Sequence, residues 1–480
     1  MYFEIYSPFI HFQATKIPNG TTTEMETFLP RDESAINGNV TTYKVTKDND
    51  LEAASVDYDP FKARVLDHPV TNCDTLTHLL KASLGTGILS MPAAFKASGL
   101  VLGIFATIAV SVICTHCAYI LVASAHELYK KAGKSSMSFA EVAEQACRRG
   151  PKWAKKFGWI ARQTVLWGIF ITYFATCSCY TVIIARNILY VTDQYYGENS
   201  FNVRYVVALL LVPLVLLAFV PNLKYLAPVS MVANVCMALG LGITFYYLVK
   251  DVPPPSERPA VANDLSTLPI CISVVIFAIE AIGVVMPLEN NMSTPRSFVG
   301  LCGVLNQGMS FVTLVYIVLG FFGYLRYGEA TDESITYNLP KGEIAAQAVN
   351  ILVAIAVFCT YGLQFYVCLD IAWSQIKDKF VKRETLANYV MRSVLVSLSV
   401  LIAVAVPTIV PFVGLIGAFC FSILGLMCPV FIEILTFWGK GYGFCYWKII
   451  KNVIIVFTGF LALIFGSKSA IQDIVKLFTD

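Results

Sequence analysis

The sequence predicts an all-α integral membrane protein with about eleven transmembrane helices, and three observations carry that reading. Hydrophobic residues fill 56% of the 480 positions and charged residues only 14%, against ~25% charged in soluble proteins. Apolar runs long enough to cross ~30 Å of hydrocarbon at 1.5 Å per residue recur from residue 76 to near the end of the chain. Two of these runs are interrupted by glycine followed by Met-Pro at corresponding places.

The remaining composition excludes several functions. Net charge is +3, from 35 Lys+Arg against 32 Asp+Glu, with no basic block interleaved with aromatics, so a nucleic-acid partner is not expected. The 14 cysteines fall mostly inside apolar runs (Cys114, Cys117, Cys236, Cys302, Cys359 and Cys420 among them), without CxxC or Cys/His ligand spacing. They read as small hydrophobes; no metal or other resident cofactor is expected, and only Cys177 and Cys179 leave a disulfide open. No HExxH, no GxSxG and no paired catalytic cluster appears, so the chain is not read as an enzyme.

Residues 1–74 are rich in Thr, Asp, Glu and Asn, lack apolar periodicity, and read as a disordered cytosolic tail. The first twelve carry Glu4 and neither a cationic leader nor a small-residue cleavage site, so they do not form a signal peptide. The transporter-sized membrane domain is 75–480. Its expected spans are 76–95, 99–123, 158–184, 203–220, 225–249, 268–288, 299–324, 344–372, 387–405, 411–437 and 449–465.

Lys and Arg crowd the loop between spans two and three (Lys130, Lys131, Lys134, Arg148, Arg149, Lys152, Lys155, Lys156). They recur between spans eight and nine (Lys377, Lys379, Lys382, Arg383). The positive-inside rule puts both loops and the N-terminus in the cytosol and, after an odd number of crossings, the C-terminus outside or in a lumen. The sequons at Asn19, Asn39 and Asn291 then stay unglycosylated. Within the first basic loop, Ser138 and Glu141 form a capping box that opens a short amphipathic helix. Tyr6-Ser-Pro-Phe9 and Tyr58-Asp-Pro-Phe61 in the tail look like sorting signals.

Span one contains Gly85-Thr86-Gly87, then Met91-Pro92; span six contains Glu280-Ala281-Ile282-Gly283, then Met286-Pro287. Glycine loosens a helix and proline removes a backbone donor. Inside a bilayer the freed groups are tolerated only where they line a protein-buried cavity. The breaks lie five spans apart, so the second copy enters the membrane inverted, giving repeats at 76–249 and 268–437 plus one extra helix at 449–465. Half-helix ends offer amide donors and carbonyl acceptors together, which suits the carboxylate and ammonium of an α-amino acid.

Ionisable groups add candidates. Glu280 sits mid-span, where a carboxylate costs ~2.5–3.5 kcal/mol; it can take up a proton, meet a substrate ammonium, or hydrogen-bond the unwound backbone. His78 and Lys81 share a face of span one, and a histidine is suited to proton coupling. Phe277, one turn before Glu280, can cap a ligand or pack in the core. Tyr173, Tyr180, Asn234, Asn306, Gln307, Tyr361 and Gln364 are secondary polar candidates, and His116 reads as packing.

These residues resemble a known family. His78-Leu-Leu-Lys81, Gly85 through Pro92, Thr115-His116-Cys117, Phe277 through Asn290, and Ser334 through Pro340 are similar in order and spacing to the proton-assisted amino acid transporters. These are solute carrier family 36, within the amino acid/auxin permease group. The resemblance implies a LeuT-like 5+5 inverted repeat with discontinuous helices 1 and 6 and one extra C-terminal helix. It also implies proton-coupled symport of small neutral amino acids (glycine, alanine, proline) toward the cytosol. It places the substrate carboxylate at Gly85, Thr86 and Gly87, its amino group along Ala278, Glu280, Ala281 and Gly283, and proton coupling at His78. Plasma membrane, late endosome and lysosome are the implied compartments, with a growth-signalling complex at the lysosome as an implied partner. Lys341-Gly-Glu follows Pro340 without the external cysteine that some relatives use for a disulfide. The alternatives are a proton-independent or sodium-driven carrier on the same fold, or an amino acid sensor with little flux.

Overall fold

The computed structural model describes residues 59–64, 66, 69–197, 201–220, 223–262, 264–279, 281–380, 383–439 and 446–479. Among these, regular structure is helical; the one β-type pairing is an isolated bridge between Val70 and Met292. Among the described residues, nine helices are long and apolar enough to cross a membrane. A shorter apolar pair, Val203–Ala218, and a first span split into pieces complete the eleven expected crossings.

Span one is α1 (Asn72–Ser83), a tight turn of 3₁₀ helix (Thr86–Ser90) and α2 (Met91–Ser98). Thr71 caps α1 by accepting from the Asp74 amide, and Gly99, at φ +90°, lets the chain reverse directly into α3 (Leu100–Ala132). The amides of Leu100, Val101 and Leu102 at the head of α3 are satisfied by the carbonyls of Pro259 and Ala260, from the loop before span six. At 33 residues, α3 is ~50 Å long, so it runs well beyond the expected 99–123 and carries Lys130 and Lys131 past its apolar stretch.

The capping box is present: Ser138 Oγ accepts from the Glu141 amide at 3.3 Å, and the Ser138 amide donates to Glu141 at 2.8 Å. It opens α4 (Phe139–Arg149), whose apolar face packs on α5 (Gly158–Tyr196). Span four is α6 (Val203–Leu209) and α7 (Leu211–Ala218), interrupted at Leu210 where Pro213 removes a donor. Then follow α8 (Leu223–Val249), α9 (Leu268–Ile279) and α10 (Ile282–Asn290), the last two being the halves of span six.

The second half comprises α11 (Val304–Tyr327), α12 (Ile344–Ile376), α13 (Glu384–Ala405), α14 (Ile409–Leu415), α15 (Cys428–Thr436), α16 (Trp447–Leu461) and α17 (Ser467–Thr479). Between α14 and α15 the helix widens to i→i+5 bonding over Ile416–Met427. Gly417 and Gly466 sit directly against Ser273 of α9, so spans ten and eleven approach that half-helix at closest range. Around this, α5 packs on α12 and α12 on α8, while α11 lies against α2 and α3. The broken spans are thereby enclosed by long continuous helices.

Part of the stretch expected as tail packs on the bundle. Val70 pairs with Asn291 and Ser293, Arg296 bonds Asp59 at 3.0 Å, and Phe61 meets His126 edge-on at 4.9 Å. Phe61 is therefore engaged in a contact rather than displayed as the end of a sorting signal. Residues 1–58, including Asn19 and Asn39, lie outside the described residues.

Candidate functional site

The two breaks meet. A β-carbon added at Gly87 would lie 2.7 Å from Ala278 Cα and 2.9 Å from its Cβ, so the 3₁₀ turn of span one and the end of α9 touch backbone to backbone. Only glycine permits that approach. Gly85 differs: a β-carbon there would find no heavy atom within 4 Å. The space on its Cβ side is open, beside the buried Thr86 and Gly87, and its amide lies in hydrogen-bonding reach of the Tyr316 phenol.

Four helix ends converge here. Ser83 and Ile279 end α1 and α9, whose last carbonyls lack intrahelical donors and carry about half a negative charge. Thr86 and Ile282 begin the returning halves, where the first amides have no acceptor within their own helix and the partial charge is positive. Tyr316, fully buried on α11, joins the two negative ends: its hydroxyl donates to Ala278 O at 2.9 Å and also bonds Ser83 O.

Two tyrosines of α5 border the same region. Tyr180 lies in hydrogen-bonding reach of Thr86 and Gln364, and the Tyr173 hydroxyl rests on Gly283. The Phe277 ring sits 6.3 Å from Phe421, which belongs to the widened stretch of span ten. Ala281 is half-buried and opens α10. Glu280 lies outside the described residues. His78 and Lys81 are half-buried on α1, with His78 seven residues, or ~10 Å of helix, before Gly85. Cys177 and Cys179 are both buried free thiols, so neither forms a disulfide.

A second polar centre lies at the end of the bundle that carries the basic loops. Glu289, fully buried near the end of α10, accepts from Arg64 at 3.2 Å and from Tyr129 at 2.8 Å, and its Oε1 lies 3.0 Å from His126 Nε2. Arg64 also donates to Ser135 O at 2.7 and 2.9 Å and to Glu289 O at 2.9 Å. The segment before α1 is thus fastened across the ends of α3 and α10.

Sequence reasoning brought out Gly85, Thr86, Gly87, Phe277, Ala278, Ala281 and Gly283, and the structure gathers them around one junction. It missed Tyr316, Arg64 and the role of Glu289. A buried tyrosine hydroxyl needs a partner, but many tyrosines in the spans share that signal. Arg64 stands in a polar segment with no periodicity to flag it.

Apolar spans around two broken helices that meet at their breaks define a membrane carrier for a small polar solute. The chain belongs to the family described as transmembrane amino acid transporter protein, whose model matches residues 68–472. It is therefore a multi-pass membrane transporter of amino acids, and not an enzyme. It is 56% identical over 460 residues to the Drosophila melanogaster "Proton-coupled amino acid transporter-like protein pathetic", covering 95% of this chain and 96% of that one. This agrees with the resemblance to solute carrier family 36.

A more distant relative, the Caenorhabditis elegans "Probable amino acid transporter skat-1", is 24% identical over 426 residues, 85% of this chain and 91% of that one. Among solved structures, the nucleobase-cation-symport-1 family transporter MHP1, closed with bromovinylhydantoin bound, overlaps with TM-score 0.49 at 13% identity, covering 86% of this chain and 94% of that one. MhsT in complex with L-phenylalanine overlaps with TM-score 0.43 at 14% identity, covering 81% and 98%. Both superpositions are too loose to carry an argument about this site.

Proposed function

We propose that this transporter is a proton-coupled symporter that carries small neutral amino acids of the glycine, alanine and proline type toward the cytosol by alternating access. The observation that carries this reading is the meeting of two broken helices with Gly85 facing open space beside the close contact of Gly87 and Ala278. The amides of Gly85, Thr86 and Gly87, at the head of the returning half, suit a carboxylate. Acceptors along Ala278 to Gly283, with Glu280 among them, suit an ammonium. Phe277 is proposed to close the apolar side, against Phe421. His78 and Glu280 are the groups proposed to carry the proton, and the name of the fly relative supports coupling.

The proposed orientation has the basic loops and the N-terminus in the cytosol and the C-terminus outside or lumenal, at the plasma membrane or a late endosomal or lysosomal membrane. The excess of Lys and Arg in the loops after spans two and eight supports it.

Reconstituted protein in proteoliposomes tests the transport reading. Alanine or proline uptake should rise with an inward proton gradient and acidify the interior, and should be indifferent to replacement of sodium by choline. Uptake unchanged after collapse of the proton gradient would refute the coupling.

A further inference from the structure

We propose that the Tyr316 hydroxyl fills a cation position built into the junction of the two broken spans, so that the carrier holds them together without a metal ion. This rests on the proton-driven reading above and goes one step past it. The half-helices α1 and α9 both end at the junction, and each presents carbonyls that no amide of its own helix can reach. Two partial negative charges brought together repel, and a donor placed between them lowers that cost beside the positive ends of the returning halves.

In membrane carriers with unwound helices, such carbonyl ends coordinate Na⁺ or a proton-bearing group. Here the positive end of an O–H dipole does it. Tyr316 reaches in from a third element, α11, and its hydroxyl bonds Ser83 O and Ala278 O at once.

The cation position is defined by the oxygens that gather where the two helix ends meet. One hydroxyl has one proton to share between two carbonyls, each with two lone pairs. The Ser83 side-chain oxygen, buried beside them, finds no hydrogen-bond partner among the described residues. Three oxygens from two chain segments, Ser83 O, Ser83 Oγ and Ala278 O, thus gather at one closed spot, and oxygen ligands are what a hard cation takes. The phenol is neutral, so it satisfies the geometry without adding an ion to the transport cycle. Tyr316 is in this sense a positioning residue: it sets the distance between the breaks and holds the place of the ion.

The test uses the full-length chain in proteoliposomes, with labelled alanine uptake at a fixed proton gradient in sodium, lithium or choline chloride. The melting temperature of the purified protein is measured in the same salts. The unsubstituted protein should give equal values in all three. Tyr316→Phe keeps the ring and removes the proton; uptake should fall about tenfold, equally in every salt, because two buried acceptors lose their donor while the ring still blocks a cation. Tyr316→Ser removes the ring and opens the position; uptake should be about threefold or more higher in sodium or lithium than in choline, with a melting temperature raised by the same ions.

Normal uptake by Tyr316→Phe overturns the proposal, and does so even if Tyr316→Ser cannot be purified. A folded Tyr316→Ser protein whose uptake and melting ignore the cation also overturns it. Sodium-dependent uptake by the unsubstituted protein would instead sink the proton-driven reading itself.

Discussion

Gly85 and Gly87 are two residues apart, yet a methyl group would meet opposite surroundings at each. At Gly87 it would collide with the Ala278 backbone, which cannot swing aside as a side chain can. At Gly85 it would enter open space, and the local φ of −88° is one any residue adopts. Gly87→Ala should therefore lower stability by ~1–3 kcal/mol as the two breaks are pushed apart, read as a lower melting temperature together with lost uptake. Gly85→Ala should leave the melting temperature unchanged and raise the KM for alanine, because the methyl group occupies space proposed for the ligand. Equal melting temperatures for the two variants would contradict the contrast. Both glycines were legible in the sequence, since glycine and Met-Pro within an apolar run have few other readings. Tyr316 was not, because its importance comes from reaching a junction some 40 and 230 positions away in the chain, which no local pattern encodes.

At the scale of elements, the segment at 59–71 works as a strap across the ends of α3 and α10. Its anchor is the Arg64–Glu289 pair, in which both side chains are almost wholly buried. Removing one partner of such a pair leaves an uncompensated charge and costs ~3–5 kcal/mol, whereas replacing both costs less. Arg64→Ala should accordingly speed amide hydrogen exchange in Ile282–Asn290 and at the end of α3. The double variant Arg64→Ala with Glu289→Ala should exchange more slowly than the sum of the single effects predicts. Unchanged exchange in Arg64→Ala would mean that the strap does not hold α10.

The eleven apolar runs were readable as elements because the bilayer length imposes itself on composition. Their ends were not: α3 and α17 continue into stretches with Lys130, Lys131, Lys468 and Lys476, where hydropathy falls but helical bonding goes on. The widened turns over Ile416–Met427 were equally invisible, because i→i+5 bonding has no residue signature of its own and depends here on how closely Gly417 and α9 approach.

At the scale of the whole molecule, the inverted relation of the two broken spans requires an even number of crossings between them (spans two to five), and the proposed sidedness follows from where cations accumulate in the loops. The two inferences are separable by experiment. In sealed, cytosol-side-out vesicles, a tag at the N-terminus should be removed by added protease and a tag at the C-terminus protected. The protein's mobility should be unchanged by glycosidase, since Asn19, Asn39 and Asn291 would all face the cytosol. For Asn291 the described residues add a physical reason: its backbone carbonyl accepts from the Val70 amide, the Ser293 amide donates to Val70, and Met292 is buried between them. The backbone of that sequon is therefore tied to Val70 whichever side it faces. Digestion of both tags would make the total number of crossings even, and the antiparallel entry of the second broken span would survive only if the miscounted crossing lay outside spans two to five. Digestion of the C-terminal tag alone would keep the count and reverse the sidedness, so that the strap at 59–71 would close the outer rather than the cytosolic mouth.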